Sequence, residues 1–293
     1  MAKSPEKRAV LIAGSTASGK SALALAIARE QGGVVVNTDA LQVYEVLRLL
    51  TARPSEIEMG DVPHRLYGVV SPAVRFSTGG WARAAAQIIA EEGDRLLIFV
   101  GGTGLYFEAL TTGFADVPEV PPEAVAAAEA EVAGLDREGR GRLIAARDPV
   151  VASRLRAPDP QRVVRALAVL NATGRSLASF QDEAQRGLLE GFEIERMVLN
   201  PDREVLRQRI ALRFEAMFAQ GAIEEVEALL ALDLDPSLPA MKAIGVPEIA
   251  AMLRGEIEED DAIERAVIAT RQYAKRQRTW YRNRMADWNW ITP

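Results

Sequence analysis

The segment Gly14–Ser21, with the sequence GSTASGKS, constrains the fold of this chain more than any other feature. It follows the apolar run Ala9–Ala13 and leads into the alanine- and leucine-rich stretch Ser21–Glu30, an order typical of a buried strand, a tight turn and a helix. In that setting G-x-x-x-x-G-K-[ST] predicts a phosphate-binding loop, because backbone N–H groups and the helix N-terminus surround an anion. Ser21 is also predicted to ligate Mg²⁺. The residues predicted to bind phosphate are Gly14, Ser15, Thr16, Ala17, Ser18, Gly19, Lys20 and Ser21.

Two further apolar runs end in loops that carry polar or glycine residues. Val34–Val36 stops at Asn37–Asp39, and Leu96–Val100 runs directly into Gly101–Gly104. Because the stretch Gly79–Glu92 between them reads as a helix, the alternation predicts an α/β fold, a P-loop NTPase-like parallel sheet flanked by helices. The carboxyl ends of parallel strands meet at one edge of a sheet, so the three loops are expected to converge.

The amino-acid composition changes after Pro118, where a proline-containing stretch is followed by alanine- and arginine-rich sequence that reads as helical. We predict a mostly helical insertion at residues 116–190, within a catalytic core formed by residues 1–115 and 191–293. Residues 136–175 contain nine arginines and four acids, a local net charge of +5 (9 − 4) in a chain whose formal net charge is −6. The later part of the core is predicted to contain a strand at 195–200 and helices at 203–219, 223–232, 247–253 and 261–285.

The composition excludes several chemistries. The chain has no cysteine, which excludes disulfides, thiolate zinc sites and a cysteine nucleophile, and its single histidine excludes a histidine cluster. No apolar stretch approaches the ~18 residues of a membrane span, and the apolar run near the N-terminus is too short for a signal sequence. We expect a cytoplasmic protein without membrane association. The absence of heptads disfavours a coiled coil and says no more about the oligomeric state. Separately, we expect a monomer.

Five blocks of sequence resemble one known family. In chain order they are GSTASGKS at 14–21, DALQVY at 39–44, GGTGLY at 101–106, DPQRVVRAL at 159–167, and the pair KAIG at 242–245 and TRQYAKRQRTW at 270–280. Together they resemble the tRNA dimethylallyltransferases of bacterial type, also called isopentenyl-pyrophosphate transferases, over nearly the whole chain. Ala40 and Leu41 depart from the Ser-Met that is usual in this family.

The resemblance implies an activity and roles for particular residues. The loop would hold the pyrophosphate of dimethylallyl pyrophosphate with Mg²⁺, and the dimethylallyl group would pass to N6 of the adenosine on the 3′ side of the anticodon in tRNA, with release of pyrophosphate. The counterpart of Asp39 accepts the N6 proton, and that of Thr103 supports the reacting centre. The residues that would contact tRNA are Asp39, Ala40, Leu41, Gln42 and Thr103, together with Gln161, Arg162, Val163, Val164 and Arg165 in the insertion.

Basic residues on two predicted helices are further candidates. Arg209 and Arg213, four residues apart, could close over the pyrophosphate or form ion pairs with nearby acids. A second set follows one helical stripe at i, i+4, i+7 and i+11, namely Arg271, Lys275, Arg278 and Arg282. We expect Arg271 and Lys275 to contact tRNA, part of the stripe to be solvated, and Trp280 to lie in the core.

Two other functions fit parts of this pattern. A P-loop small-molecule kinase would share the fold, the cradle and a carboxylate after the second strand, and an RNA-binding NTPase would use the loop as a nucleotide switch. An NTPase usually has an apolar strand that ends in an aspartate for Mg²⁺, whereas Leu96–Val100 ends in Gly-Gly-Thr-Gly. The kinase also leaves the block at 270–280 unexplained.

Overall fold

The computed structural model describes residues 7–115, 117–183 and 186–293. They form two compact units: one contains the described residues up to Thr111 together with Leu188–Pro293, and the second is Thr112–Gly187. The second unit thus begins and ends slightly earlier than the predicted insertion at 116–190. Asp116, the predicted first residue of that insertion, lies outside the described residues.

The described strands all lie in the first unit. They are β1 (Arg8–Gly14), β2 (Val34–Asn37), β3 (His64–Arg65), β4 (Leu97–Gly101), β5 (Glu193–Leu199) and β6 (Asn289–Ile291). The helices of both units, in chain order, are α1 (Lys20–Gln31), α2 (Glu56–Met59), α3 (Thr78–Glu91), α4 (Gly104–Thr111), α5 (Pro122–Val132), α6 (Arg137–Arg147), α7 (Pro149–Arg154), α8 (Pro160–Thr173), α9 (Leu177–Asp182), α10 (Arg203–Ala219), α11 (Ala222–Leu230), α12 (Val246–Leu253) and α13 (Glu259–Arg284), with a 3₁₀ turn at Ala240–Lys242.

The six strands form one parallel sheet in the order β3-β2-β4-β1-β5-β6. The predicted α/β fold is therefore confirmed, and the predicted core elements fall within two residues of the observed bounds. The edge strands β3 and β6 were not predicted, because two or three residues are too few to show an apolar pattern. None of the described helices combines the length and apolar character that a membrane crossing needs.

The central position of β1 places its loop beside two neighbouring strand ends. Ala13 pairs with Gly101 of β4, and Gly14 pairs with Leu199 of β5. The strands β1 and β4 are buried on both faces apart from Arg8, since helices cover both sides of a parallel sheet. The loops after β1, β2 and β4 therefore emerge from a rigid, apolar support.

The second unit is a small helical bundle with its own core. That core includes Ala128 of α5, Ile144 of α6 and Val163 and Leu167 of α8. Helix α8 begins as predicted: the Asp159 side chain accepts a hydrogen bond from a backbone N–H in the first turn, and proline occupies the first helical position.

Candidate active site

The loops that follow β2 and β4 are tied together at the carboxyl edge of the sheet. The backbone N–H of Thr103 donates to the carbonyl of Thr38 at 3.0 Å, and the backbone N–H of Ala40 donates to the Thr103 hydroxyl at 2.9 Å. The predicted convergence is confirmed for these two of the three loops. The Thr103 hydroxyl thus holds the backbone directly beside Asp39.

The loop between β1 and α1 has the geometry of an anion cradle. Gly19 has a φ of +90°, a left-handed conformation that suits glycine, and α1 begins at the next residue. The hydroxyls of Ser15 and Ser18 are buried and have no hydrogen-bond partner among the described residues. Because buried polar groups are normally paired, these two hydroxyls favour a polar ligand in the loop.

Lys20 supplies a positive charge to this cradle. Its ammonium donates to the carbonyl of Ser15 at 3.3 Å. Burial lowers the pKa of Lys20 to about 8, an effect that the Asp39 carboxylate opposes and the Arg213 guanidinium reinforces. An anion bound here would favour the charged form of Lys20 and raise its pKa again.

The carboxylate of Asp39 is held in one orientation by its neighbours. Asn37 brackets the Asp39 backbone, accepting from its N–H at 2.8 Å and donating to its carbonyl at 2.9 Å. The backbone N–H of Leu41 donates to Asp39 Oδ1 at 3.0 Å. No hydrogen bond to Oδ2 forms within the described part of the chain, so this oxygen is available to a substrate.

Two cavities share this edge of the sheet. The larger, which we call the P-loop cavity, has a volume of about 430 Å³ and is lined by Thr16, Ala17, Ser18, Gly19, Lys20, Ser21, Ala22, Asp39, Gln42, Thr51, Ala52, Arg209 and Arg213. The smaller, which we call the apolar cavity, has a volume of about 60 Å³ and is lined by Thr16, Asp39, Leu41, Leu50, Thr51, Ala52, Ile210, Arg213, Phe214, Met217, Ala243, Ile244, Thr270 and Tyr273. Because Thr16, Asp39 and Arg213 line both cavities, the two are neighbouring parts of one site.

Both arginines predicted on α10 line the P-loop cavity. Arg209 and Arg213 lie one helical turn apart on the face that looks onto the phosphate-binding loop. Burial lowers the pKa of Arg213, while Glu58 and Asp39 act in the opposite direction. The structure therefore brings two guanidinium groups and Lys20 to the same cavity.

The buried face of α13 carries a polar stripe that was not predicted from the sequence. Gln277 is buried; its side chain accepts from the Thr16 N–H at 3.2 Å and donates to the Gly102 carbonyl at 3.0 Å. The Tyr281 hydroxyl lies 2.9 Å from the same carbonyl and donates to it. Thr270, Gln277 and Tyr281 recur at helical spacing among buried residues, and that pattern of polar groups in an apolar stripe was the available signal.

The predictions for the exposed side of α13 need correction. Trp280 was expected in the core, yet it is only half-buried and its ring lies over Gly104; the buried aromatic is Tyr281, with 1% exposure. The reason is that Tyr281 shares the face of Gln277, whereas Trp280 lies at the edge of that face. Arg271 and Lys275 are exposed and line neither cavity, so their contact with tRNA stays a prediction.

On α8, burial divides the residues predicted to contact tRNA. Gln161, Arg162 and Arg165 are exposed, and no ion pair to either arginine forms among the described residues. Val163 is fully buried and Val164 packs against the same core, so the side chain of Val163 cannot reach RNA. This correction follows from the helical period, because a continuous five-residue segment must turn one side inward.

Fewer arginines of the second unit are available to bind an anion than its charge count suggests. Four of the nine arginines form ion pairs: Arg142 with Glu138, Arg147 with Glu131, Arg154 with Asp182 and Arg175 with Glu183. Arg140 donates to two backbone carbonyls. The arginines without an acidic partner in the described ranges are therefore Arg137, Arg156, Arg162 and Arg165.

Fold and site together define a P-loop group-transfer protein with its carboxylate after β2 rather than after the strand beside the loop. The family described as IPP transferase matches residues 42–284, and the one described as isopentenyl transferase matches residues 7–71. The chain belongs to the IPP transferase family.

Relatives of similar length support this assignment. A tRNA dimethylallyltransferase of Chelativorans sp. (strain BNC1) is 52% identical over 285 residues, covering 96% of this chain and 98% of that protein. A tRNA dimethylallyltransferase of Rhizobium meliloti (strain 1021) is 51% identical over 281 residues, covering 95% and 93%. The sequence-level resemblance is confirmed, and it favours the transferase over the kinase.

Solved structures give the same result. The full-length tRNA isopentenylpyrophosphate transferase of Bacillus halodurans superposes with a TM-score of 0.69 at 30% identity, covering 98% of this chain and 90% of that one. A eukaryotic dimethylallyltransferase acting on tRNA gives a TM-score of 0.78 at 26% identity, covering 94% and 70%.

Proposed function

We propose that this chain transfers the dimethylallyl group of dimethylallyl pyrophosphate to N6 of the adenosine 3′-adjacent to the anticodon in tRNA and releases pyrophosphate. One observation carries the proposal: the Asp39 carboxylate lines both the P-loop cavity and the apolar cavity. A general base at that junction lies beside the bond that joins the anionic leaving group to the apolar tail of the donor.

The two cavities match the two halves of the donor. The pyrophosphate lies in the P-loop cavity, where backbone N–H groups, Lys20, Arg209 and Arg213 meet its charge. The five-carbon tail lies in the apolar cavity against Ile210 and Phe214. A site of this shape also keeps water away from an allylic carbon that ionises easily.

Mg²⁺ fits the oxygen atoms available here. Ser21 and Asp39 both line the P-loop cavity, and the described residues contain no cluster of three or more acidic or histidine side chains that could hold a metal alone. Mg²⁺ is usually bound by one or two protein oxygens together with substrate phosphates and water. We assign the Ser21 hydroxyl as its protein ligand. When bound, the ion would offset the negative charge that develops on the pyrophosphate.

In the transfer step the N6 amine attacks C1 of the donor, and the bond from C1 to the pyrophosphate oxygen breaks. The N6 proton passes to Asp39, because an aromatic amine is a poor nucleophile until a base within hydrogen-bond reach accepts its proton. Lys20 and Arg213 stabilise the departing anion. Thr103 positions Asp39 through its hydrogen bond to the backbone of Ala40.

The target base leaves its loop to reach this site, and backbone contacts hold the rest of the RNA. The three residues that follow the general base Asp39 in the chain are assigned to the rim around the adenosine. They are Ala40, Leu41 and Gln42. Gln42 is constrained in that role, because its amide already donates to the carbonyls of Thr51 and Ala52. The monomeric state and cytoplasmic location stay predictions.

Arg165→Ala is expected to weaken tRNA binding several-fold. Arg165 is an exposed residue without an acidic partner within the described chain, and partial burial lowers the pKa of its guanidinium. Its side chain can therefore contact a phosphate. Loss of one such contact should reduce the slope of log affinity against log salt concentration by about one. The measurement is tRNA binding across a salt series. Arg142→Ala is the matched control, since Arg142 pairs with Glu138 at 2.6 Å. Identical slopes for Arg165→Ala and wild type would remove α8 from the RNA-contact surface.

The activity itself is tested by incubating the purified protein with unmodified tRNA, dimethylallyl pyrophosphate and Mg²⁺, followed by mass analysis of the nucleosides. The expected product is adenosine that has gained C5H8, formed without ATP. Phosphate transfer from ATP to small hydroxyl acceptors would instead support the kinase. Tight nucleotide binding without any alkylated adenosine would support the RNA-binding NTPase.

A further inference from the structure

Leu50 closes one end of the apolar cavity. Its side chain lines that cavity and is only 8% exposed. Behind it lies the backbone of Gly245: a Cβ placed on Gly245 would lie 2.6 Å from Leu50 Cδ2. The leucine therefore fills the space between the cavity and Gly245, and it has no room to retreat when the cavity is filled.

The backbone that carries Leu50 is fixed from one side by a single carboxylate. Glu225, in the first turns of α11, accepts from three successive backbone N–H groups: Arg48 at 2.8 Å, Leu49 at 2.7 Å and Leu50 at 3.0 Å. Hydrogen bonds to a charged acceptor are stronger than neutral ones. Glu225 thereby anchors the segment at the position of Leu50 itself.

The backbone that follows Leu50 is fixed as well. The Gln42 amide donates to the carbonyls of Thr51 at 2.9 Å and Ala52 at 3.1 Å. A wall held on both sides of the residue cannot swing outward to admit a longer ligand. With this backbone fixed, the Leu50 side chain is one of the groups that face the apolar cavity from a wall that cannot move.

We propose that Leu50 is the residue that limits the length of the prenyl donor to five carbons. The inference rests on the proposed function and deepens it. In a close-packed wall, extra carbons on the tail overlap Leu50, and relief needs movement that Glu225 and Gly245 oppose. Leu50→Ala removes three carbon atoms at this place and opens the space in front of Gly245.

The test compares two donors with wild type and Leu50→Ala: dimethylallyl pyrophosphate and 3-methylhex-2-enyl pyrophosphate, whose tail is two carbons longer. The readout is the ratio of kcat/KM for the two donors, with tRNA as acceptor and products identified by mass. Wild type should prefer the shorter donor by at least ~10-fold, which is the lower end of the effect that one misplaced methylene has in an apolar pocket. Leu50→Ala should reduce that preference by at least ~10-fold.

Leu49→Ala is the matched control. Leu49 is the neighbouring leucine, bonded to the same carboxylate, but it does not line the apolar cavity, and its donor ratio should equal that of wild type. An unchanged ratio in folded, active Leu50→Ala overturns the inference, as does a wild type that uses both donors equally. If Leu50→Ala fails to fold, Leu50→Val replaces it, and an unchanged ratio there is equally decisive. Absence of dimethylallyl transfer by wild type would instead overturn the proposed function.

Discussion

Asp39→Ala is expected to lower the rate of prenyl transfer by about 10²- to 10⁴-fold, the usual contribution of a general base. Its carboxylate lies at the junction of the two cavities, and Oδ2 is free of hydrogen bonds to the described residues. The tRNA affinity should stay close to wild type, because contacts to the phosphate backbone of the RNA supply most of it. Single-turnover transfer and equilibrium tRNA binding measure the two quantities separately.

Asp39→Asn separates proton acceptance from structure. The asparagine carbonyl can still accept the Leu41 N–H that now reaches Asp39 Oδ1, but an amide does not take the N6 proton. We expect it to be nearly as slow as Asp39→Ala. Asp61→Asn, at an exposed acid that lines neither cavity, controls for the loss of one negative charge. Transfer at the wild-type rate by Asp39→Asn would refute the general-base role.

Lys20→Met is expected to lower kcat/KM for the prenyl donor by about 10²- to 10³-fold, the effect of removing one positioned charge-stabilising group. Methionine keeps much of the volume of the buried lysine stem and removes the ammonium, with its charge and its hydrogen bond to the Ser15 carbonyl. The effect should appear in the donor parameters and not in tRNA affinity. Lys7→Met, at an exposed lysine outside both cavities, is the matched control.

The pH dependence gives this prediction a second readout. The pKa of Lys20 lies at about 8 in the free protein, so the ammonium is charged below that pH and loses its charge above it. Because pyrophosphate binds the charged form, the KM for the donor in wild type should rise as pH increases through about 8. In Lys20→Met this rise should disappear. A wild-type KM that stays constant up to pH 10 would contradict the role of Lys20.

Much of the catalytic core was readable from local pattern. The apolar run before Gly14–Ser21 and the helix after it identify the phosphate-binding loop, because strand, turn and helix each depend on neighbouring residues. The placement of Asp39 and Thr103 at strand ends followed from the same reasoning, since parallel strands carry their carboxyl ends to one edge. Arg209 and Arg213 were also predicted as candidates, being basic residues one turn apart, and both line the P-loop cavity.

The misses share a physical cause. The charged stripe of α13 was visible in the sequence, but its polar stripe with Gln277 and Tyr281 points inward and carries the contacts to the loops. Charge count likewise overstated the basic surface of the second unit, because ion pairs such as Arg154 with Asp182 use acids outside the counted window. The pattern of residues along the sequence gives the period of a helix, but it does not show which groups pack against each face of that helix.

The sequence by itself determined the α/β architecture, the phosphate-binding loop and the family, because these depend on short-range periodicity and on compact motifs. Only the tertiary structure decided which side chains complete the site. Gln277 bonds to Thr16, and Glu225 bonds to Leu50, across separations of 261 and 175 residues. Such contacts exist only after the elements pack, because a side chain's partner across the fold is set by register and burial and not by its neighbours in the chain.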